Sequence, residues 1–151
     1  MKTFELIEPE LFAPPCHDMV LLPYGLLGFE RIKNYRLIGR KEEEPFLWLQ
    51  MLENSQYAFL LLPARLVVPD YAPNLDQDDL DFLDLTYGSE ALVLNILTLG
   101  DREGAINLKA PIIINTRTWI GKQVIPADAA DYSGRHPVSS HLVFSETADL
   151  C

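Results

Sequence analysis

The chain has 151 residues, and its 22 acidic and 12 basic residues give a formal net charge of −10. Apolar residues make up 48% of the sequence and charged residues 23%, which are ordinary values for one globular domain with a single core. A surface this acidic repels nucleic-acid phosphates and anionic lipid headgroups, so the composition argues against direct binding to nucleic acid or membranes. It favours encounter with a basic protein.

The N-terminal stretch MKTFELIEPELFAPP contains three glutamates where a signal peptide needs an uninterrupted apolar segment. Apolar stretches such as Ala91–Leu94 are too short to cross a bilayer. The two cysteines, Cys16 and Cys151, do not form a disulfide framework, which is typical of a reducing compartment. We therefore expect a soluble, cytoplasmic protein.

Short apolar runs that end near proline, glycine or asparagine predict most of the secondary structure. The runs that we interpret as strands are Met19–Leu22, Tyr35–Ile38, Phe46–Leu52, Tyr57–Leu62, Ala91–Leu99, Ile112–Ile114 and Gln123–Ile125. Between the first two, Gly25 and Gly28 flank two leucines and are expected to take positive φ in a structural turn with buried leucines. A spacing of roughly ten residues from strand to strand favours an antiparallel sheet or barrel over βαβ units. The predicted fold class is mainly β, a small single-domain antiparallel β-barrel-like fold with one short helix.

The segment NLDQDDLDFLDLT, residues 74–86, interleaves aspartates with leucines and a phenylalanine. It predicts one short helix that begins after Asn74 or Asp76, with acids in its first turn. Between Arg65 and Arg102 there are eight acidic residues and no lysine or arginine. Such an unbalanced negative field steers a basic partner, although the helix acids are also explained as the solvated face of an amphipathic segment.

The stretch NLKAPIIIN, residues 107–115, places a proline directly before a β-branched run. Pro111 has no N–H group to donate, so we predict it at a sheet edge or at the first residue of a strand. Ile112 and Ile114 should face one side of that strand and Ile113 the other. The flanking asparagines, Asn107 and Asn115, are expected to bond their own backbone at the two turns.

The apolar pattern thins from Ala127 onward, and Asp101–Gly104 and Ser133–Pro137 read as turns. We expect a β-barrel domain over residues 1–138 and a weakly ordered C-terminal tail over residues 139–151.

No motif for catalysis or metal binding is evident. Cys16, His17 and Asp18, with His136 or His141, lack the paired short ligand spacings of a zinc site. The adjacent serines and histidine at residues 139–141 lack a glycine-flanked nucleophile turn. We predict no catalytic residue, no metal and no cofactor. A hydrolase that uses Asp or His side chains in the barrel is an alternative, and it would need a pocket with clustered titratable groups.

Five motifs occur in one order along the chain. They are Gly25–Glu30 (GLLGFE), Pro45-Phe46 with Leu49-Gln50, Pro69–Tyr71, Asn107–Asn115 (NLKAPIIIN) and Gly121–Ile125 (GKQVI). Together they resemble the bacterial flagellar assembly factor FliW family over residues 19–138. The resemblance implies a small β-barrel-like fold, no catalysis, and a partner-switching role. FliW proteins bind the translational repressor CsrA and relieve its repression of flagellin mRNA, and they bind flagellin, which releases CsrA.

The acidic balance of the chain suits this resemblance, because CsrA is an RNA-binding protein with basic surfaces. The acids predicted to face CsrA are Asp70, Asp76, Asp78, Asp79 and Asp81. Tyr71 is predicted to be an aromatic anchor beside them, because tyrosine is enriched at binding hot spots. We expect the free protein to be a monomer. The alternative is a flagellin chaperone without CsrA regulation, whose affinity would come from exposed apolar grooves.

Overall fold

The computed structural model describes residues 5–6, 18–54, 56–86, 90–101 and 103–138, which form ten strands and one α-helix. The elements are β1 (Glu5–Leu6), β2 (Asp18–Leu21), β3 (Asn34–Gly39), β4 (Leu47–Met51), β5 (Ala58–Leu62), α1 (Gln77–Phe82), β6 (Glu90–Leu99), β7 (Gly104–Ile106), β8 (Ile112–Asn115), β9 (Ile120–Gln123) and β10 (His136–Val138). Short 3₁₀ turns lie at Lys41–Glu43, Ala64–Leu66 and Ala129–Asp131.

Seven of the strands close a barrel, in the order β6-β5-β4-β3-β2-β9-β8 and back to β6. Neighbours in this ring are antiparallel except β2 and β9, which pair in parallel through Leu21 and Ile120. β1 pairs in parallel with β6, and β7 and β10 extend the sheet from the far end of β6. The predicted fold class, a mainly β barrel with one short helix, is confirmed.

β6 is the strand that the whole sheet shares. It pairs with β8 through Ala91–Leu94 and then with β7 through Leu97–Leu99. Asn95 and Ile96 pair with β5, and the start of the strand pairs with β1. Because one strand takes part in four ladders, its ten residues link the barrel to the β7–β10 extension.

Two separate cores lie on the two faces of β8. Ile112 and Ile114 point into the barrel core, together with Leu37, Leu49 and other buried side chains of the ring. Ile113 points the opposite way, into a cluster under α1. The predicted alternation of the three isoleucines is confirmed, and it means that a single strand holds both the barrel and the helix.

The NLKAP stretch forms a bulge between β7 and β8. Five residues lie between Ile106 and Ile112, whereas only two lie between their partners Leu97 and Leu94 on β6. Pro111 directly precedes β8, and its carbonyl oxygen accepts a hydrogen bond of 2.9 Å from the Val124 backbone N–H. The alternative placement at a sheet edge is wrong, because β8 has β6 on one side and β9 on the other.

The two asparagines bond their own backbone, as predicted. The Asn107 Oδ1 atom accepts from the Lys109 N–H at 2.9 Å, and the Asn115 Oδ1 atom accepts from the Arg117 N–H at 2.8 Å. Asn115 is fully buried, and its Nδ2 also donates to the Leu83 carbonyl at 2.8 Å. One side chain therefore closes the turn after β8 and satisfies a backbone carbonyl just after α1.

Some predicted boundaries are wrong. The last barrel strand is Ile120–Gln123 instead of Gln123–Ile125, and Gly121 lies inside it. A Cβ atom at Gly121 would lie 2.9 Å from the Ile113 carbonyl oxygen, so this glycine serves close strand packing instead of a turn. The turns predicted near residues 104 and 136 contain the short strands β7 and β10. The predicted tail, residues 139–151, lies outside the described residues.

The glycine turn after β2 takes the predicted backbone conformation, with φ of +66° at Gly25 and +89° at Gly28. Leu26 is buried, as expected, but the Leu27 side chain is 62% exposed. The prediction of two buried leucines is therefore right for one of them.

We expect Asn115→Ala to lower the free energy of unfolding by about 2–3 kcal/mol, because it leaves the buried Leu83 carbonyl without a side-chain donor and opens the turn after β8. Asn107→Ala is the matched control, since it removes one turn bond from a half-buried site and should cost about 1 kcal/mol. Urea titrations of both variants measure the difference. Equal midpoints for the two variants would contradict the linking role of Asn115.

Candidate partner-binding surface

α1 is fixed to the barrel by its apolar side. Leu80, Leu83 and Leu85 are buried against residues of β6, β8 and the segment after β9. At its N-terminus the Asp76 Oδ1 atom accepts the Asp79 N–H at 2.8 Å, which confirms Asp76 as the cap. Burial of the leucine side leaves Asp76, Asp78 and Asp81 exposed to solvent.

Asp79 does not lie on the exposed side of α1. It is 6% exposed, and its Oδ1 atom lies 2.5 Å from the Lys122 Nζ of β9. The Lys122 ammonium also lies 5.2 Å from the ring centroid of Tyr24 and 5.7 Å from that of Phe82. Asp79 was predicted to face a partner, and this placement is wrong: the carboxylate is used to bind α1 to β9.

The fold also supplies a cation to a second acid of this segment. Asp84 pairs with Arg117 at 3.1 Å, and both side chains are more than half exposed. The stretch between Arg65 and Arg102 has no cation of its own, but Lys122 and Arg117 reach it from β9 and from the turn after β8. The uncompensated acids are therefore fewer than the sequence indicates.

The loop after β9 adds two acids that the sequence analysis did not select. The Asp128 Oδ1 atom accepts the Asn74 N–H at 3.0 Å, and the Asn74 carbonyl accepts the Ala127 N–H at 2.9 Å. These bonds hold the 126–131 loop beside the segment that leads into α1. Asp128 and Asp131 were missed because more than forty residues separate them from that segment along the chain.

Three acids lie close enough to Tyr132 to act on its hydroxyl. Burial raises the pKa of its hydroxyl, and the negative charges of Asp128, Asp70 and Asp131 raise this pKa further. The exposed and half-buried acids therefore extend from α1 to the 3₁₀ turn after β9. We call them the acidic surface: Asp70, Asp76, Asp78, Asp81, Asp128 and Asp131. Lys109 lies at its border, where Nζ donates to the Ala129 carbonyl at 3.0 Å.

Tyr71 is a buried structural residue. It is 1% exposed, its hydroxyl donates to the Leu108 carbonyl at 2.8 Å, and the hydroxyl oxygen accepts from the Asn95 Nδ2 at 3.2 Å. Its ring meets that of Tyr132 edge-on, with centroids 4.9 Å apart. The prediction that Tyr71 is an aromatic anchor for a partner is wrong, because its ring and hydroxyl are already occupied inside the fold.

Within the part of the chain that the structure describes, no three His, Cys, Asp or Glu side chains are arranged to hold a metal ion. No described helix is long and apolar enough to cross a bilayer. Cys16, His17 and His141 lie outside the described residues. The absence of a metal, a cofactor and a catalytic residue stays a prediction.

Comparison with known proteins gives the family. The model of the FliW protein family matches residues 10–138. The chain belongs to the FliW family of flagellar assembly factors. It is 38% identical over 136 residues to the flagellar assembly factor FliW of Leptospira interrogans, which covers 88% of this chain and 87% of the relative. It is 35% identical over 128 residues to that of Caldanaerobacter subterraneus, covering 83% of this chain and 85% of the relative.

A solved structure agrees with this assignment. The crystal structure of a flagellar assembly factor FliW matches with a TM-score of 0.73 and 32% sequence identity, over 80% of this chain and 84% of that chain. The barrel and its single helix are thus the FliW fold, and the resemblance read from the five motifs is confirmed.

Removal of the Asp79 charge should affect stability. We expect Asp79→Asn to lower the free energy of unfolding by about 1–3 kcal/mol, because the half-buried Lys122 ammonium loses its counter-charge. Asp84→Asn removes a pair in which both side chains are more than half exposed, and it should change stability by less than about 0.5 kcal/mol. Chemical denaturation at moderate salt compares the two. A larger loss in the Asp84 variant would contradict the role given to the Asp79–Lys122 pair.

Burial raises the pKa of Tyr71 from 10.0 to about 12, and the neighbouring charge of Asp128 acts in the same direction. The folded state therefore holds the phenolic proton more tightly than the unfolded chain. The resulting stabilisation is present in full below pH 10 and is lost as the pH rises from 10 to about 12. We expect the free energy of unfolding to fall across this interval, and Tyr71→Phe to make the fall shallower. Tyr35, whose pKa burial also raises to about 12, and Tyr132, whose pKa burial raises as well, supply the remaining slope. An unchanged slope in the Tyr71 variant would contradict this assignment.

Proposed function

We propose that this chain is a non-enzymatic regulatory protein that sequesters the translational repressor CsrA in the cytoplasm and is switched by flagellin. The observation that supports the proposal is the acidic surface on a member of the FliW family. Its six carboxylates are accompanied by few cations, so it would attract a regulator whose RNA-binding surface is basic. The formal net charge of −10 acts in the same sense at longer range.

The switch is a coupling between two binding events. Flagellin must bind the CsrA-free protein more tightly than the CsrA-bound protein, and CsrA must then weaken flagellin binding by the same factor. Accumulated flagellin would release CsrA to repress flagellin mRNA, whereas exported flagellin would leave the protein free to hold CsrA. Translation of flagellin would in this way follow its assembly.

A flagellin chaperone without CsrA regulation is the second candidate. Exposed apolar side chains favour it, among them Met19 at 52%, Tyr57 at 57% and Leu66 at 40% exposure. Such a chaperone would bind flagellin through apolar contacts and would bind CsrA no better than any basic protein of similar charge.

Calorimetric titration of the purified chain distinguishes the two functions. The proposal predicts saturable binding of CsrA, and an affinity for CsrA that falls as flagellin is added. Binding of flagellin alone would support the chaperone. Absence of binding to CsrA at low ionic strength would overturn the proposed regulation.

The acidic surface should act mainly on the rate of association. We expect Asp78→Lys with Asp81→Lys to slow CsrA association about tenfold or more at low salt and to flatten its dependence on ionic strength, because the charge reversal removes electrostatic steering. Asp76 is left intact because it caps α1.

The matched control is Glu42→Lys with Glu44→Lys. These two exposed glutamates lie at the turn between β3 and β4, on the side of the ring away from β6 and β8, and their reversal changes the net charge equally. Stopped-flow measurements over a salt series compare the two double variants. Equal slowing by both would show that net charge, not the surface on α1, steers CsrA.

A further inference from the structure

The glycine turn between β2 and β3 is held rigidly. The Gly25 N–H donates to the Leu22 carbonyl at 2.8 Å, and the Phe29 N–H donates to the Leu26 carbonyl at 2.7 Å. Lys33 Nζ donates to the carbonyls of Pro23 and Glu30, each at 2.8 Å. A Cβ atom at Gly25 would lie 2.5 Å from the Phe29 carbonyl oxygen, so the backbone folds back tightly on itself.

This rigid turn presents large apolar side chains to solvent. Leu27 at its tip is 62% exposed, and Tyr24 just before it is 58% exposed. The turn is also fixed to β9, because the Leu27 N–H donates to the Gln123 Oε1 atom at 2.8 Å. Near the same end of β9, Ile125 is 58% exposed. Because the backbone of the turn is ordered before binding, a partner that covers it loses little backbone conformational entropy, which suits an anchor.

The apolar tip adjoins the exposed acids of α1. The Tyr24 ring meets the Phe82 ring of α1 with centroids 5.0 Å apart. Phe82 lies four residues after Asp78, so both side chains lie on the same side of α1, and Asp81, three residues after Asp78, adjoins Asp78 on the helix surface. Lys122, which lies near both rings, already has Asp79 as its counter-charge. Asp81 accepts a hydrogen bond of 2.7 Å from Gln77 Nε2, but among the described residues neither Asp78 nor Asp81 forms a salt bridge. Both carboxylates can therefore pair with a cation from outside.

We infer that Leu27 and Tyr24 form, with Asp78 and Asp81, one composite docking surface for an amphipathic segment of a protein partner, whose apolar side chains cover the turn and whose Lys or Arg side chains pair with the helix acids. Charge complementarity decides the occupant. A purely apolar segment would leave the two carboxylates without a cation, and a second copy of this chain, at −10, would bring acids against acids.

This inference rests on the proposed function, because it assigns the cationic partner, CsrA, to a surface. The two components of the surface should act differently in kinetics. Apolar anchors act at short range after encounter, so their loss raises the dissociation rate at every salt concentration. Charges act before contact, so their loss lowers the association rate and matters less as salt is added.

The experiment is biosensor kinetics of the full chain against immobilised CsrA over a salt series. Leu27→Ser is the test variant, and it should fold normally because the side chain is largely exposed. Leu99→Ser, at a similarly exposed leucine at the end of β6, is the matched control. Tyr24→Ser is a second test variant. Circular dichroism and thermal melts confirm that each variant is folded. Sedimentation measures self-association, and a parallel biosensor run measures flagellin binding, for the wild-type chain and for each variant.

We expect Leu27→Ser to raise the dissociation rate about tenfold at all salt concentrations, Tyr24→Ser to act in the same direction, and Leu99→Ser to change nothing. Wild-type binding with unchanged dissociation in both test variants would overturn the composite surface while leaving the proposed function intact. Failure of the wild-type chain to bind CsrA would overturn both. Loss of flagellin binding alone, or loss of self-association alone, in Leu27→Ser would assign the surface to another occupant and would also overturn the inference.

Discussion

The sharing of β6 among four strands is the constraint on which this molecule depends. The ring closes at β6, which pairs with β5 and with β8. The same ten-residue strand also pairs with β1 and β7. At the point where β6 passes from β8 to β7, Asn95 is fully buried and its Nδ2 donates to the Asn107 carbonyl at 2.8 Å. At this point side chains form some of the hydrogen bonds that the backbone of the bulge, residues 107–111, needs. The interruption of the β-ladder therefore costs little free energy. Tyr71 bonds both Asn95 and the Leu108 carbonyl, which fixes the loop before α1 to the same place.

The position of the acidic surface follows from that closure. β8 lies beside β6 and carries Ile113 outward, which gives α1 an apolar floor. β9 lies next to β8 and brings Lys122 under α1, where it compensates Asp79 and meets the rings of Tyr24 and Phe82. One half-buried cation thus compensates Asp79, the acid of α1 that faces inward, while Asp78 and Asp81 remain exposed. The rigid barrel holds the apolar turn and the exposed acids in a fixed relation, so a partner that needs both can find them in place.

Local signals in the sequence predicted much of the barrel. Alternating apolar residues predicted β4, and the β-branched run predicted β8 with its two faces. Asp76 was one of the two predicted caps of α1. Gly121 was left outside the predicted strand Gln123–Ile125, because a glycine needed for close strand packing looks the same in sequence as a glycine needed for a turn. Pro111 was placed at a possible edge because the partners of a strand are set by long-range pairing, which no local pattern contains.

The candidate surface was harder to predict than the fold, for the same reason. The acids of the 74–86 segment were visible, but the cations that compensate two of them come from residues 117 and 122. Asp128 and Asp131 join the surface through the bond to Asn74, and no spacing along the chain signals this. Tyr71 and Tyr24 are both tyrosines beside glycine- or proline-containing loops. Only the exposed fraction of the side chain distinguishes Tyr71, a structural residue at 1%, from Tyr24, an accessible residue at 58%.

Amide hydrogen exchange of the chain, with and without a saturating amount of CsrA, shows whether the glycine turn and α1 belong to one binding surface. We expect amides of residues 24–30 and 77–84 to gain protection together on binding, while those of the turn at residues 40–44 exchange as before. Protection at the 40–44 turn, with no change at either the glycine turn or α1, would contradict this expectation.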